Sequence, residues 1–181
     1  KWVKKFNDRR IPDEYISKEW TLLQDEKDYG ASRADDSAGE SDIVAKAHRF
    51  LKTFPHPFPE DPELFYKVFA VSPFIDEFTI DFAKEAVKHL KLGEDDVPDI
   101  MAVSLSATDA IGHAFGPGSR EIHDHLLRVD RMLAEFFEYL DDRVGLKQTL
   151  IVFTSDHGIV SLPEQSATDR SEEHTSELQS P

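Results

Sequence analysis

The order of three segments constrains this chain more than any other feature. Residues 100–106 (IMAVSLS) and 149–155 (TLIVFTS) are short apolar runs rich in β-branched residues, a pattern typical of strands. Neither alternates strictly between apolar and polar, which suits strands covered on both faces. Between them, residues 120–142 place Ile122, Leu126, Leu127, Val129, Leu133, Phe136, Phe137 and Leu140 on one face of a helix of about six turns. The triplet reads as β-α-β. With the helix as crossover the strands run parallel, and the loops at their carboxyl ends open on one edge of the sheet, where open α/β sheets bind ligands. Asp109 and His113 follow the first strand by a few residues, and Asp156 and His157 follow the second at once. Two carboxylates and two imidazoles are therefore expected to converge.

Composition narrows the chemistry available there. The chain of 181 residues suffices for one modest domain with a real core. A net charge of -15 and a pI near 4.8 argue against binding nucleic acid backbones or anionic membranes, so a phosphate-processing site would need metal. Without cysteine, disulfides and thiolate zinc sites are excluded and any ligand set must be His and carboxylate. No apolar stretch approaches the length of a membrane span, and residues 1–10 (KWVKKFNDRR) show neither an initiator Met nor a signal-peptide core, so the chain reads as starting in mid-protein.

Upstream of the triplet, Trp2, Val3 and Phe6 suggest a short helix before a break at Pro12. Residues 25–40 read as a polar surface loop or insertion, and 41–52 as a brief helix or extended piece. The run Phe54-Pro55-His56-Pro57-Phe58-Pro59 cannot be helical and is expected to be a rigid extended connector. A helix is predicted from Asp61 or Pro62 to about Ala70, ended by Pro73. Another is predicted over 75–92, with Ile75, Phe78, Phe82, Ala86 and Leu90 on one side and Gly93 as its stop. At the far end, residues 170–181 (RSEEHTSELQSP) resemble the in-frame translation of a common sequencing adapter, the alternative being a natural polar tail. The domain is accordingly drawn at 1–169. Removing the tail takes away one Arg and three Glu, leaving 20 basic and 33 acidic residues, so the acidic character persists.

In the two motifs, Asp109 and His113 lie at i and i+4 and share a face if the segment is helical, where they could hold one cation together. Asp156 and His157 are adjacent, and after a strand they can address two points of a pocket, with Gly158 easing the turn. Zinc accepts imidazole nitrogen and carboxylate oxygen at about 2.0–2.2 Å. Four such ligands suit two zinc ions roughly 4 Å apart. Each residue also has a plainer role: Asp109 as a helix N-cap, Asp156 as a polar strand end. His123 and His125 stand about 200° apart on a helix and are expected at the solvated surface. His48, His56 and His89 have no acidic or His partner at ligand spacing and default to structural or surface roles. The hydroxyls of Ser104, Ser106, Thr108, Thr154 and Ser155 sit near the motifs, but none has the context of a nucleophile, and no glycine-rich phosphate loop is present.

With these residues in hand, the chain resembles the alkaline phosphatase superfamily. It is most similar to the secreted bacterial monomeric alkaline phosphatases of the type I phosphodiesterase/nucleotide pyrophosphatase group. The resemblance rests on VSLSATDAIGHAFGP at 103–117 and TSDHG at 154–158. It is extended by Trp2-Val3 with Phe6-Asn7, FPHP at 54–57, SPF at 72–74, TIDFAKEAV at 79–87 and Arg128-Val129-Asp130. It implies an α/β fold with a doubly wound, mostly parallel sheet, incomplete here at both ends. It also implies a two-zinc site hydrolysing small phosphate esters, and a periplasmic or secreted location. Asp109 and His113 would bind the zinc on the water-activating side; Asp156 and His157 would bind the zinc beside the nucleophile. The family's Thr or Ser nucleophile forms a phospho-enzyme that is then hydrolysed. Its first metal-binding Asp, nucleophile and Lys/Arg phosphate contacts are expected upstream of Lys1, and its last zinc-binding His downstream of Gly158. The chain is thus expected to be an internal fragment, inactive alone and poorly soluble because of an unpaired sheet edge. Alternatives are a phosphodiesterase or nucleotide pyrophosphatase of the same superfamily, and a non-catalytic metal-binding fragment.

Overall fold

The computed structural model describes residues 1–37 and 53–161; the segment 41–52, the boundary at 169 and the tail 170–181 lie outside the described residues. In chain order the elements are α1 (Trp2–Asp8), β1 (Glu19–Trp20), β2 (His56–Pro57), α2 (Pro62–Phe69), α3 (Phe74–Leu90), α4 (Ala107–Phe115) and α5 (Arg120–Arg143). Short 3-10 turns occur at Ile11–Tyr15, Glu26–Tyr29 and Leu146–Gln148. β1 and β2 pair antiparallel, Glu19 opposite Pro57 and Trp20 opposite His56.

Helix ends follow their local chemistry. α2 starts at Pro62, where no N–H is missed, and the Asp61 carboxylate accepts the Leu64 N–H at 2.9 Å. Ser119 caps α5 by accepting the Ile122 N–H at 3.2 Å. α3 stops at Lys91, which takes a left-handed conformation (φ 59°), and Leu92 N–H reaches back to the Val87 carbonyl. Gly93 follows at φ 74°, and a Cβ there would come within 2.5 Å of Val144, so both backbone and packing call for glycine.

Two apolar clusters result. The first gathers Trp20, Phe58, Phe65, Val68, Phe69, Phe74, Ile111, Phe115 and Ile122; the second gathers Ile80, Ala83, Val87, Phe136 and Leu140 between α3 and α5. α3 serves two neighbours, which corrects its predicted face. It buries Phe74, Asp76, Ile80, Ala83 and Val87, while Phe78 and Phe82 instead meet Phe6 of α1 at ring distances of 5.1 and 5.2 Å, and Leu90 is exposed. On α5 the predicted stripe holds at Ile122, Val129, Phe136 and Leu140, but Leu126 faces solvent.

The expected parallel strands do not form among the described residues. Runs 100–106 and 149–155 join no hydrogen-bonded ladder, and the sheet is limited to β1 and β2. A strand exists through its neighbours, and these two segments do not pair with each other. Met101, Val103 and Leu105 pack in alternation against the second cluster, so the first run has one covered face. Ile100 is 95% exposed, and Leu150 and Val152 are 89% and 76% exposed, so apolar side chains that read as buried lie open.

The first turns of α5 hold three of the buried polar residues, Glu121, Asp124 and His125. Asp124, fully enclosed, accepts from Trp20 Nε1 (2.7 Å), the Leu23 N–H (2.7 Å), Tyr29 Oη (2.6 Å) and Arg128 Nε (2.7 Å). Burial and the bond to Asp124 push the Tyr29 phenol up to about 12. Glu121 meets His56 Nε2 at 3.0 Å, both fully buried. His125, expected at the surface, is likewise buried, its Nε2 2.9 Å from Thr108 Oγ1 and 3.7 Å from Asp76 Oδ2. Replacing Asp124 by Ala leaves several donors unpaired in the interior, and chemical denaturation is expected to show a loss of about 3–5 kcal/mol.

Asp76 and His125 also set a pH signature. Burial pushes the Asp76 carboxyl up to about 6, outweighing the Ala107 and Ser106 N–H groups that favour its ionised form. Burial pulls the His125 imidazole down to about 4, with Asp124 opposing and Arg128 assisting. Between pH 4 and 6 the folded chain keeps the Asp76 proton that the unfolded chain has lost, so this contribution falls as pH rises. Between pH 6.5 and 4 the unfolded chain protonates His125 and the folded chain does not, so that contribution falls as pH drops. The slopes oppose, each worth on the order of 3 kcal/mol across the window. Relative to wild type, Asp76→Asn is expected to lose stability on acidification from pH 6.5 to 4. His125→Gln is expected to lose it as pH rises from 4 to 6. Urea midpoints across that range check both signs.

Candidate metal centre

Asp109 and His113 sit on one face of α4, in its first and last turns, with His113 Nε2 3.3 Å from Asp109 Oδ1. Asp109 does not cap the helix. The N-cap residue Ser106 makes no side-chain cap bond either; Asp76 Oδ1, from α3, accepts the Ala107 N–H at 3.2 Å. A carboxylate at Asp109 is favoured by the positive end of the helix dipole.

The second arm is the extended segment ending at Ser155. His157 Nε2 lies 3.6 Å from Asp156 Oδ2 and 3.7 Å from Asp109 Oδ1. Asp109 Oδ1 therefore faces two imidazoles, yet it is shielded from solvent without a hydrogen-bond partner among the described residues. Ile159 brings the arms together by seating its side chain on Gly112, where a Cβ would stand 2.3 Å from Ile159 Cδ1. Gly158 is not the pivot predicted for it: its φ is not left-handed, and a Cβ there would meet open space. The local turn is held by the Ser155 hydroxyl on the His157 carbonyl and by the His157 N–H on Asp156 Oδ1 (3.1 Å).

The four predicted residues thus meet in a chain, His113, Asp109, His157, Asp156. Among the described residues no three such groups close on one point as ligands of a single ion. The donor set still has the chemistry of a divalent site: two carboxylates, two imidazoles and a buried carboxylate oxygen with no bond made to it.

No nearby hydroxyl has the setting of a nucleophile. Ser104 and Ser106 bond each other at 3.2 Å, and Thr154 bonds the Ser155 carbonyl. Thr108 does touch an imidazole, but Asp76 approaches the same Nε2 of His125, while Nδ1 has no partner. A carboxylate in that position does not fix the imidazole for proton abstraction as a triad requires. His123 lies edge-on to Tyr29, and His89 stacks on Trp2, so both are structural; His48 falls outside the described residues. Asp76 and His125 were missed because polar residues on a helix are read as outward. Their signal was positional, since Glu121, His125 and Val129 repeat every fourth residue along the buried stripe.

Known proteins share this arrangement of sequence and fold. Alkaline phosphatase PhoV of Synechococcus elongatus is 39% identical over 162 residues, 90% of this chain and 29% of that protein. Alkaline phosphatase PafA of Elizabethkingia meningoseptica is 35% identical over 159 residues, 87% and 29% respectively. The crystal structure of wild-type PafA superposes with a TM-score of 0.84 at 31% identity, covering 99% of this chain and 36% of that one, which supports an α/β fold of the alkaline phosphatase type. The chain therefore spans well under half the length of these relatives. The model of the type I phosphodiesterase/nucleotide pyrophosphatase family matches residues 5–178, and the chain belongs to that family.

Proposed function

We propose that this chain forms part of the metal centre of a phosphoric ester hydrolase that cleaves small phosphate monoesters through a phospho-enzyme. The convergence of Asp109, His113, Asp156 and His157 within 3.3–3.7 Å contacts at the ends of two extended runs carries this reading. Asp109 and His113 would hold one zinc ion, and Asp156 and His157 a second. Bound zinc would supply Lewis-acid stabilisation of the phosphoryl oxygens and acidify a water. The chain's own residues do the rest: α4 fixes the first pair one turn apart, and the Ile159 contact on Gly112 sets the distance to the second pair. The chain carries a net charge of -15, and a bound cation would offset its overall repulsion of a phosphate ester, which favours binding at that edge.

The nucleophile, the remaining ligands and the phosphate-contacting cations would lie in the portion of the relatives that this chain does not span. In the complete protein, runs 100–106 and 149–155 would become neighbouring parallel strands of a doubly wound sheet. Alone, the chain is then inactive. A periplasmic or secreted location is inferred from the family resemblance, and no helix among the described residues is long and apolar enough to cross a membrane. The family's description, which names phosphodiesterase and nucleotide pyrophosphatase, supports a diesterase as the second reading.

Calorimetric titration with zinc tests the centre. Asp109→Ala and Asp156→Ala are each expected to weaken uptake by at least tenfold with the fold retained by circular dichroism; undiminished uptake in both would leave a non-metal role. In a full-length protein carrying these residues, hydrolysis of p-nitrophenyl phosphate should exceed that of its bis-ester, and the reverse order would establish the diesterase. Gly112→Leu is expected to push Ile159 off α4 and weaken zinc uptake without unfolding α3 and α5, as monitored by the same titration and by near-UV circular dichroism.

A further inference from the structure

We infer that Thr108, His125 and Asp76 form a buried positioning device that sets where Asp109 stands; this rests on the metal-centre reading above. The first turn of α4 is held residue by residue. Ala107 gives its N–H to Asp76 Oδ1 at 3.2 Å, Thr108 joins its hydroxyl to His125 Nε2 at 2.9 Å, and the next residue is Asp109. Asp76 and His125 are almost wholly buried, whereas the Asp109 side chain is 48% exposed. A rigid floor therefore carries a half-exposed side chain, one of whose carboxylate oxygens is shielded. The arrangement does more than cap a helix. A cap would be met by Ser106 itself, yet Ser106 makes no such bond, and the acceptor comes from a helix 31 residues upstream. His125 in turn belongs to α5, so the first turn of α4 is referenced to both long helices at once. Among the described residues His125 Nδ1 and Asp76 Oδ2 have no hydrogen-bond partner, and Thr108 makes the one hydrogen bond of the ring. These are positioning residues: they touch neither metal nor substrate and act through the helix backbone that bears the ligand.

The test is Co(II) titration of the 181-residue chain, followed by visible absorption, which reports ligand geometry as well as affinity. Thr108→Val removes the hydroxyl at nearly constant volume. It is expected to weaken Co(II) binding about tenfold and alter the absorption band, with the far-UV circular dichroism of the metal-free chain retained even as the lost buried hydrogen bond lowers its thermal midpoint. Thr108→Ser should restore both, because it restores the hydrogen bond. Should the valine variant fail to fold, Thr108→Ala makes the same deletion without added bulk. Wild-type affinity and band in the hydroxyl-deleted variant, beside lost binding in Asp109→Ala, would overturn the positioning role alone. An Asp109→Ala chain that binds Co(II) like wild type, or a wild-type chain that takes up none, would remove the metal reading and this inference with it.

Discussion

Most of this structure is registered on the first two turns of α5, where Glu121, Asp124 and His125 are buried side by side. Each desolvated polar group must find a partner or cost several kcal/mol, so each fixes one other segment. Asp124 fixes the stretch from Trp20 to Tyr29, with Arg128 adding a bond to the Thr21 carbonyl. Glu121 fixes the His56 connector, and His125 fixes the start of α4. Apolar contacts tolerate sliding; directed hydrogen bonds do not. The aromatic cluster of Trp20, Phe58, Phe65, Phe69 and Phe74 supplies burial, but the polar hub decides the register in which those rings meet.

That division of labour explains what the sequence revealed. Breakers and caps act locally, so Asp61-Pro62 and the proline-rich connector were readable from neighbouring residues alone, whereas the stop expected at Gly93 falls two residues earlier, at a left-handed Lys91. The face of α3 was not, because two helices compete for it: α5 takes Ile80, Ala83 and Val87, and α1 takes Phe78 and Phe82. Leu126 and His125 were read in inverted roles for a related reason. An apolar residue was assumed inward and an imidazole outward, whereas burial on α5 follows position along the stripe rather than residue type. The two β-branched runs have strand-like sequences and one shows strand-like alternation, but pairing is a property of neighbours and is not encoded in either run.

The site was legible to a different degree. An i,i+4 pair on a helix and an adjacent pair after an extended run are local patterns, and within each pair the imidazole lies 3.3 and 3.6 Å, respectively, from its carboxylate. What joins the pairs is long-range, and its clearest trace in sequence is Gly112, a glycine inside a helix that lacks any backbone need for one. Its absent side chain is space that Ile159 fills. Gly158, the more obvious glycine, carries no such requirement.

The two arms are built with unequal stiffness. Asp109 and His113 ride on a helix tied to both long helices through Asp76 and His125. Asp156 and His157 ride on an exposed segment held by Ile159 and by bonds within its own turn. A ligand pair that is already fixed loses little entropy on binding a cation, whereas a pair on a loosely held segment must be ordered by it. In the proposed centre the α4 pair would therefore define the location, and the second pair would adapt to it. Pairing residues 149–155 into a sheet would remove that asymmetry, since a ladder would hold Asp156 at its end as firmly as α5 holds the floor beneath Asp109.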